Sequence, residues 1–294
     1  VYVDGTFGGG SYTKKILEYA DCNVISLDRD IHAINNAKYL ETFYTPRLKL
    51  INSRFSQLES VLENINIEKV SGIVVDIGVS SMQLDDNARG FSFQLDGPLD
   101  MRMGNDGPSA YDVVNNLEED ELANIIKILG EEKLARMVAR SIVRERSVCP
   151  IKTTFELREI IAQAIGWSYR KVDKKTIHPA TRTFQAIRIF LNSELHELKQ
   201  LLHISGKVLE TWFLGNGRSD ALAHQARVIQ GEWGNCDTYT SVLAVRQRGY
   251  AKLLQQIFVQ NVRVFIQFQC MLKELEKRKP LIAPSLIDRV PKTL

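Results

Sequence analysis

The opening run Val1-Tyr-Val-Asp4-Gly5-Thr6-Phe7-Gly8-Gly9-Gly10-Ser11 constrains the fold more than any other part of the chain. A short β-branched segment ends in an acid and passes through a glycine-rich turn into an amphipathic stretch. Such a turn lets a ligand approach the backbone and presents N–H groups at a helix start. A plain strand-to-helix connection would use the same residues. A second apolar run ends in Leu27-Asp28-Arg29-Asp30. An acid at that distance in a doubly wound fold can accept hydrogen bonds from a ribose, or it can cap the following helix.

Over residues 1–90, short β-branched runs alternate with amphipathic stretches, the signature of a parallel sheet with crossover helices. Strands are expected at Val1 to Val3, Val24 to Leu27, Leu48 to Ile51 and Gly72 to Ile77. Helices are expected from about Ser11, from about His32 and over Leu58 to Leu62. Right-handed crossovers then give an open α/β sheet. From about Pro108 the periodicity is helical only: Leu117 to Leu129 closed by Gly130, Glu132 to Arg146, and a helix begun by the capping box Thr153-Thr-Phe-Glu156 and ended at Gly166. One long helix from about Thr183 to Leu202 is expected to return the chain to the sheet. The domain division that follows is 1–107 with 200–294 around a helical insertion, 108–199. In the last ninety residues, Val262, Val264, Ile266 and Phe268 alternate with other residues as in a half-buried strand.

The 294 residues are 44% hydrophobic and 25% charged, values that exclude disorder and a disulfide-stapled miniature. With 38 Lys and Arg against 35 Asp and Glu the net charge is +3, so any basic surface must be local. Cys22, Cys149, Cys236 and Cys270 form no Cys-x-x-Cys pair, and the five histidines show no ligand spacing, so no metal is expected. Reduced thiols, no leader and no apolar stretch of the ~20 residues a bilayer requires point to the cytoplasm without membrane association. The start at Val1, already inside a strand-like run, implies that residues precede it.

The glycine order Gly5-x-x-Gly8-Gly9-Gly10 is not the Gly-x-Gly-x-x-Gly dinucleotide fingerprint, which favours S-adenosylmethionine over a nicotinamide dinucleotide. Three further motifs make the assignment specific. They are Ile73-Val-Val-Asp76 followed by Ile77-Gly-Val-Ser-Ser-Met-Gln83-Leu-Asp-Asp86, then Asp96-Gly-Pro-Leu-Asp100-Met-Arg102-Met103, and Ile177-His178-Pro-Ala-Thr-Arg182-Thr-Phe-Gln-Ala-Ile-Arg188. With the opening glycine run they resemble the bacterial 16S ribosomal RNA cytosine-N4-methyltransferases over Val1 to about Leu198.

The resemblance implies a Rossmann-like methyltransferase sheet with an inserted all-α domain, S-adenosylmethionine as donor, and 16S ribosomal RNA of the small subunit as partner. The target would be N4 of cytosine 1402 in the decoding region. A homodimer is compatible with it. Carried over by position, the donor contacts would be Gly10, Ser11 and Tyr12 at the methionine part, Asp28 at the ribose, Phe55 against the adenine, and Asp76 and Gln83 lining the pocket. Where relatives often have Gly-Gly-His, this chain has Gly10-Ser11-Tyr12, so no imidazole is supplied there. Phe55 could equally be core.

The exocyclic amine of cytosine is a poor nucleophile because its lone pair is conjugated into the ring. Acceptors near N4 can orient it and disperse developing charge. Asp100 and Asp76 are the available carboxylates, with Asp100 the candidate catalytic one; an internal pair with Arg102 is the alternative for Asp100. RNA contacts are expected from His178, Arg182 and the cluster Lys171, Lys174 and Lys175. Arg136, Arg140 and Arg144 form a second basic stripe that could equally be a solvated helix face.

After about Leu202 the resemblance is lost, which leaves the far edge of the sheet without an expected partner. A second reading follows: a catalytically impaired homologue that binds S-adenosylmethionine or ribosomal RNA without turnover.

Overall fold

The computed structural model describes residues 1–167 and 177–209, together with the backbone of 242–247. The contacts divide the chain into two compact units: Val1–Gly78 with His196–Lys279, and Val79–Leu195 with Pro280–Leu294. The second unit thus begins well before residue 108, where the helical periodicity starts, because the motif loops of 79–107 pack with the helices.

The first unit is built on five parallel strands, β1 (Tyr2–Asp4), β2 (Val24–Asp28), β3 (Leu48–Asn52), β4 (Gly72–Ile77) and β5 (Val242–Gln247), in the order β3-β2-β1-β4-β5. The first four lie where the hydrophobic runs predict them. β5 lies in a stretch that carries no clear strand signal, and it pairs with β4 in parallel from Gly72↔Val242 to Ile77↔Gln247. The edge of β4 expected to be bare is therefore paired. The alternating segment Val262 to Phe268 lies outside the described residues.

Successive strand residues face opposite sides of the sheet, and the two sides have separate cores. Ile25 and Leu27 of β2 join Val3, Ile73 and Val75 on the face covered by Leu58 and Leu62 of the helix Leu58–Asn64 and by Leu198, Leu201 and Leu202. Val24 and Leu48 face the other way, onto Phe7, Leu17 of α1 (Ser11–Tyr19) and Leu40. Both faces are apolar and both are covered, as a parallel sheet requires. The strand order reverses between β1 and β4, and a crevice at the carboxyl ends of the strands beside such a reversal is where ligands bind in open α/β sheets.

In the second unit, helices Glu119–Leu129, Ala135–Arg146, Thr154–Ile165 and Ala180–Leu191 pack in pairs. Their core includes the fully buried Leu122, Ile126, Ile142, Leu157, Ile161 and Ile187. The helix Thr154–Ile165 has the expected capping box, with Thr153 Oγ1 and the Glu156 carboxylate each accepting a backbone N–H, and it ends at the left-handed Gly166.

The single long helix expected over Thr183 to Leu202 is instead two, Ala180–Leu191 and Glu194–Val208. Ser193 at the break has φ 52°. Asn192 stabilises the break: its Oδ1 accepts the N–H of Met103 at 2.8 Å, and its Nδ2 donates to the carbonyls of Met101 at 2.8 Å and Arg188 at 2.9 Å. Across the break the buried pair Arg188–Glu194 closes at 2.7 Å. Periodicity continues through the break because residues on either side are apolar, so only the partners of Asn192 reveal it.

Candidate functional site

In the first unit the candidate residues gather at the carboxyl ends of β1 to β4. Asp4 ends β1, Asp28 ends β2, Phe55 follows β3 in a short 3₁₀ turn (Phe55–Gln57), and Asp76 lies one residue before the end of β4. Gly10, Ser11 and Tyr12 stand at the start of α1. Gly10 has φ +76°, and a Cβ there would come within 2.8 Å of the Phe7 ring, so no other residue fits this turn without a shift. A Cβ at Gly5 would meet Val75 Cγ1 at 2.7 Å and Phe55 Cβ at 3.2 Å, which sets Phe55 directly beside the turn. Phe55 is partly buried and also packs on the core, so both of its expected roles are compatible with its position.

Asp28 anchors the turn. Its Oδ2 accepts the Gly8 N–H at 2.7 Å and its Oδ1 accepts the Asp30 N–H at 2.8 Å. The following helix is capped by Asp30, whose Oδ1 accepts the His32 N–H at 3.0 Å, so the capping alternative for Asp28 falls to its neighbour. Burial pushes the Asp28 carboxyl up, and the Asp30 and Gly8 N–H groups oppose that.

Sequence reasoning left Asp4, Thr6, Thr13 and Ser26 out of this site. Asp4 is wholly buried, and its carboxylate accepts the Thr6 N–H at 3.2 Å and the Thr13 hydroxyl at 2.7 Å. Thr13 Oγ1 also lies 2.7 Å from Ser26 Oγ, and Thr6 Oγ1 accepts the Asp76 N–H at 2.6 Å. Desolvation pushes the Asp4 carboxyl up to about 6, with the neighbouring Asp28 adding to the effect. The signal was present: a hydroxyl residue stands on each side of the glycine run, within reach of an acid at a strand end.

The turn fits a cationic, hydroxyl-bearing ligand. A Cβ at Gly9 would meet no atom within 4 Å, so the backbone there can be approached. Asp28 bonds to the turn at Gly8, and Asp4 and the backbone of Asp76 bond to it at Thr6, so acids adjoin the turn, which suits an ammonium or sulfonium group better than a pyrophosphate. Among the described residues no group of His, Cys, Asp and Glu could hold a metal ion.

The remaining candidates belong to the second unit. Gln83 is buried, and its Oε1 accepts the Ser80 N–H at 3.0 Å in a capping box, so one end of the side chain holds a helix start. Asp100 has the internal partner given as its alternative. Arg102 Nη2 lies 2.6 Å from Oδ2 and Arg102 Nε 3.0 Å from Oδ1, and the Arg102 N–H adds a bond of 2.9 Å to Oδ1. Arg102 is pushed up by this hydrogen bonding.

His178 lies among rings, its centroid 5.1 Å from Phe93 and 5.6 Å from Trp167. Its Nδ1 accepts the Ala180 N–H at 3.1 Å. Burial, then the nearby Arg158, hold it below the usual histidine range, so it is neutral at pH 7. Arg158 itself stacks on Phe155 at 4.0 Å. Arg182 is half exposed and reaches Glu132 at 3.6 Å. Lys171, Lys174 and Lys175 lie outside the described residues. In the arginine stripe, Arg140 faces Glu119 at 3.5 Å and Arg144 faces Glu145 at 2.8 Å, as on a solvated face.

A model of the MraW methylase family matches residues 1–213. The chain belongs to this family. Among curated relatives of the family, it is similar to a ribosomal RNA small subunit methyltransferase H of Parvibaculum lavamentivorans, 52% identical over 215 residues, 71% of this chain and 62% of the relative. The protein of the same name from Rhodopseudomonas palustris is 53% identical over 210 residues, again 71% and 62%. That of Zymomonas mobilis is 49% identical over 211 residues, 72% and 61%. The chain thus spans about 62% of the length of the curated relatives it matches. No helix among the described residues is long and apolar enough to cross a membrane.

Proposed function

We propose that this protein transfers a methyl group from S-adenosylmethionine to the exocyclic N4 of cytosine 1402 in the decoding region of 16S ribosomal RNA, acting on the small subunit in the cytoplasm. The observation that carries the donor assignment is Asp28, which ends β2 and braces the glycine turn through Gly8. The family match and the names of the relatives support the RNA acceptor.

In this reading Gly10, Ser11 and Tyr12 would hold the amino-acid part of the donor, Asp28 the ribose hydroxyls and Phe55 the adenine, and Asp76 and Gln83 are proposed to line the pocket. The bound donor supplies an electrophilic methyl on a sulfonium, and the bond to sulfur breaks as the bond to N4 forms. The amine needs acceptors that orient its N–H groups and take up one proton. Both oxygens of Asp100 already accept from Arg102, which suits it to orient the amine rather than to remove its proton. The rings of His178, Trp167 and Phe93 offer faces on which an unpaired base can stack. Arg182 and the cluster Lys171, Lys174 and Lys175 would neutralise phosphates, and a homodimer is compatible with these roles.

The deciding experiment is methyl transfer from labelled S-adenosylmethionine to undermethylated 30S subunits, with the product mapped by digestion of the 16S RNA. Label in N4-methylcytosine at one position is expected. One observation favours a second reading: the family match stops at residue 213 of 294, so an impaired homologue would lack matched C-terminal residues. Binding of donor or RNA without label incorporation would select it. Absence of donor binding would overturn the transfer reading, and absence of both donor and RNA binding would overturn the second as well.

A further inference from the structure

Asp4 is the one fully buried carboxyl among the acids at the strand ends, and the transfer reaction as proposed gives it no task. Its hydrogen-bond partners are neutral: the Thr6 N–H and the Thr13 hydroxyl, with Ser26 next in line. A hydroxyl carries one proton, so when Thr13 donates to an ionised Asp4, Ser26 must donate to Thr13. Turning both hydroxyls round accommodates a protonated Asp4 instead. The network therefore accepts either charge state.

The charged groups around it are acids. Asp28 faces it from β2 and raises its proton affinity, β4 contributes Asp76 on the far side of Thr6, and α1 presents Thr13. Burial already pushes the Asp4 carboxyl up to about 6. A cation placed at the glycine turn would oppose both effects and favour ionisation.

We infer that Asp4 is a charge-sensing positioning residue whose proton affinity falls when a sulfonium-bearing donor fills the turn, so that the ionised acid prefers the charged donor to its neutral thioether product and the preference fades as Asp4 is protonated at lower pH. The inference rests on the donor assignment above. Where the pH leaves Asp4 protonated in the empty turn, donor binding releases that proton to solvent. Methyl transfer sends the carbon–sulfur electron pair to sulfur and removes the positive charge, so the product loses an attraction that held its precursor and Asp4 recovers its higher proton affinity. The substrate amine loses its own proton separately.

The test is calorimetric titration of the protein with S-adenosylmethionine and with S-adenosylhomocysteine between pH 5 and 7.5, in buffers of differing ionisation enthalpy. The two ligands share the same amino-acid end, so its titration cancels in their affinity ratio. Donor affinity is expected to fall about tenfold from pH 7 to pH 5, with about half a proton released per donor bound near pH 6. Thioether affinity should change less. Asp4→Asn should flatten the ratio and abolish the release, whereas a merely structural Asp4 would weaken both ligands equally at every pH. Thr13→Val, which removes a bond to the ionised acid, should move the midpoint to higher pH and serves if Asp4→Asn does not fold. A pH-independent ratio with both ligands bound would overturn the inference while leaving the donor assignment intact. Binding of neither ligand would overturn the donor assignment and the inference with it.

Discussion

Asp28 Oδ2 accepts the backbone N–H of Gly8 at 2.7 Å, so the acid that ends β2 holds in place the turn that follows β1. The same carboxylate also receives the Asp30 N–H. One side chain thus joins two strand ends, and a ribose contact would add to a group already fixed in position.

Asp28→Ala should weaken S-adenosylmethionine binding by about 1.5–3 kcal/mol, because it removes charge-assisted acceptors and loosens the turn. Asp28→Asn should keep part of the Gly8 contact and lose less. Calorimetry at one pH would check this. Equal affinity in wild type and Asp28→Ala would take Asp28 out of the site.

Asn192→Ala should destabilise the second unit by about 2–4 kcal/mol, since it strips partners from the Met103 N–H and the Met101 carbonyl, both in a buried loop. Thermal unfolding would report it. Asn192→Asp, which keeps the acceptor for Met103 and loses the donor to Met101, should fall between.

The Arg188–Glu194 pair, with side chains only 11% and 4% exposed, should behave as a buried ion pair. Arg188→Met or Glu194→Leu alone should cost about 3–5 kcal/mol, because each strands a buried charge. The double variant should recover most of that loss in chemical denaturation. Additive losses would show that the pair is not coupled.

Stability should fall as pH rises from about 4 to 6. The folded Asp4 carboxyl titrates near 6 against an ordinary 3.8, so over this window the folded chain binds more protons than the unfolded one. Its contribution is complete below the ordinary value and is lost as pH passes through 6, amounting to about 3 kcal/mol at about 1.4 kcal/mol per unit. Asp4→Asn should remove this slope from denaturation midpoints measured across pH.

His178 should act toward RNA as a neutral ring rather than as a cation. His178→Ala should weaken RNA binding by about 1–3 kcal/mol if one base stacks there, and His178→Phe should keep most of the affinity. Replacing Lys171, Lys174 and Lys175 should instead flatten the salt dependence. Filter binding at several salt concentrations separates the two effects, and an unaltered slope in the lysine variant would make that cluster a solvated segment.

The sequence alone determined what depends on neighbours within a few residues. Alternation placed β1 to β4, the Thr153–Glu156 box and Gly166 bounded their helix, and the ordered motifs pointed to the family. Those signals are local because a strand's faces and a helix's caps are set by residues two to four positions apart. Tertiary structure decided what depends on chain segments meeting. Met103 and Met101 become partners of Asn192 across some ninety residues and so divide a helix that periodicity alone would continue. β5 finds the open edge of β4 although its residues carry no clear strand signal. Asp4, read in sequence as the acid before a turn, becomes a wholly buried acid tied to Thr6 and Thr13 only once β1 lies between β2 and β4. Its proton affinity then follows from lost hydration and the charge of Asp28, neither of which exists until the sheet has formed.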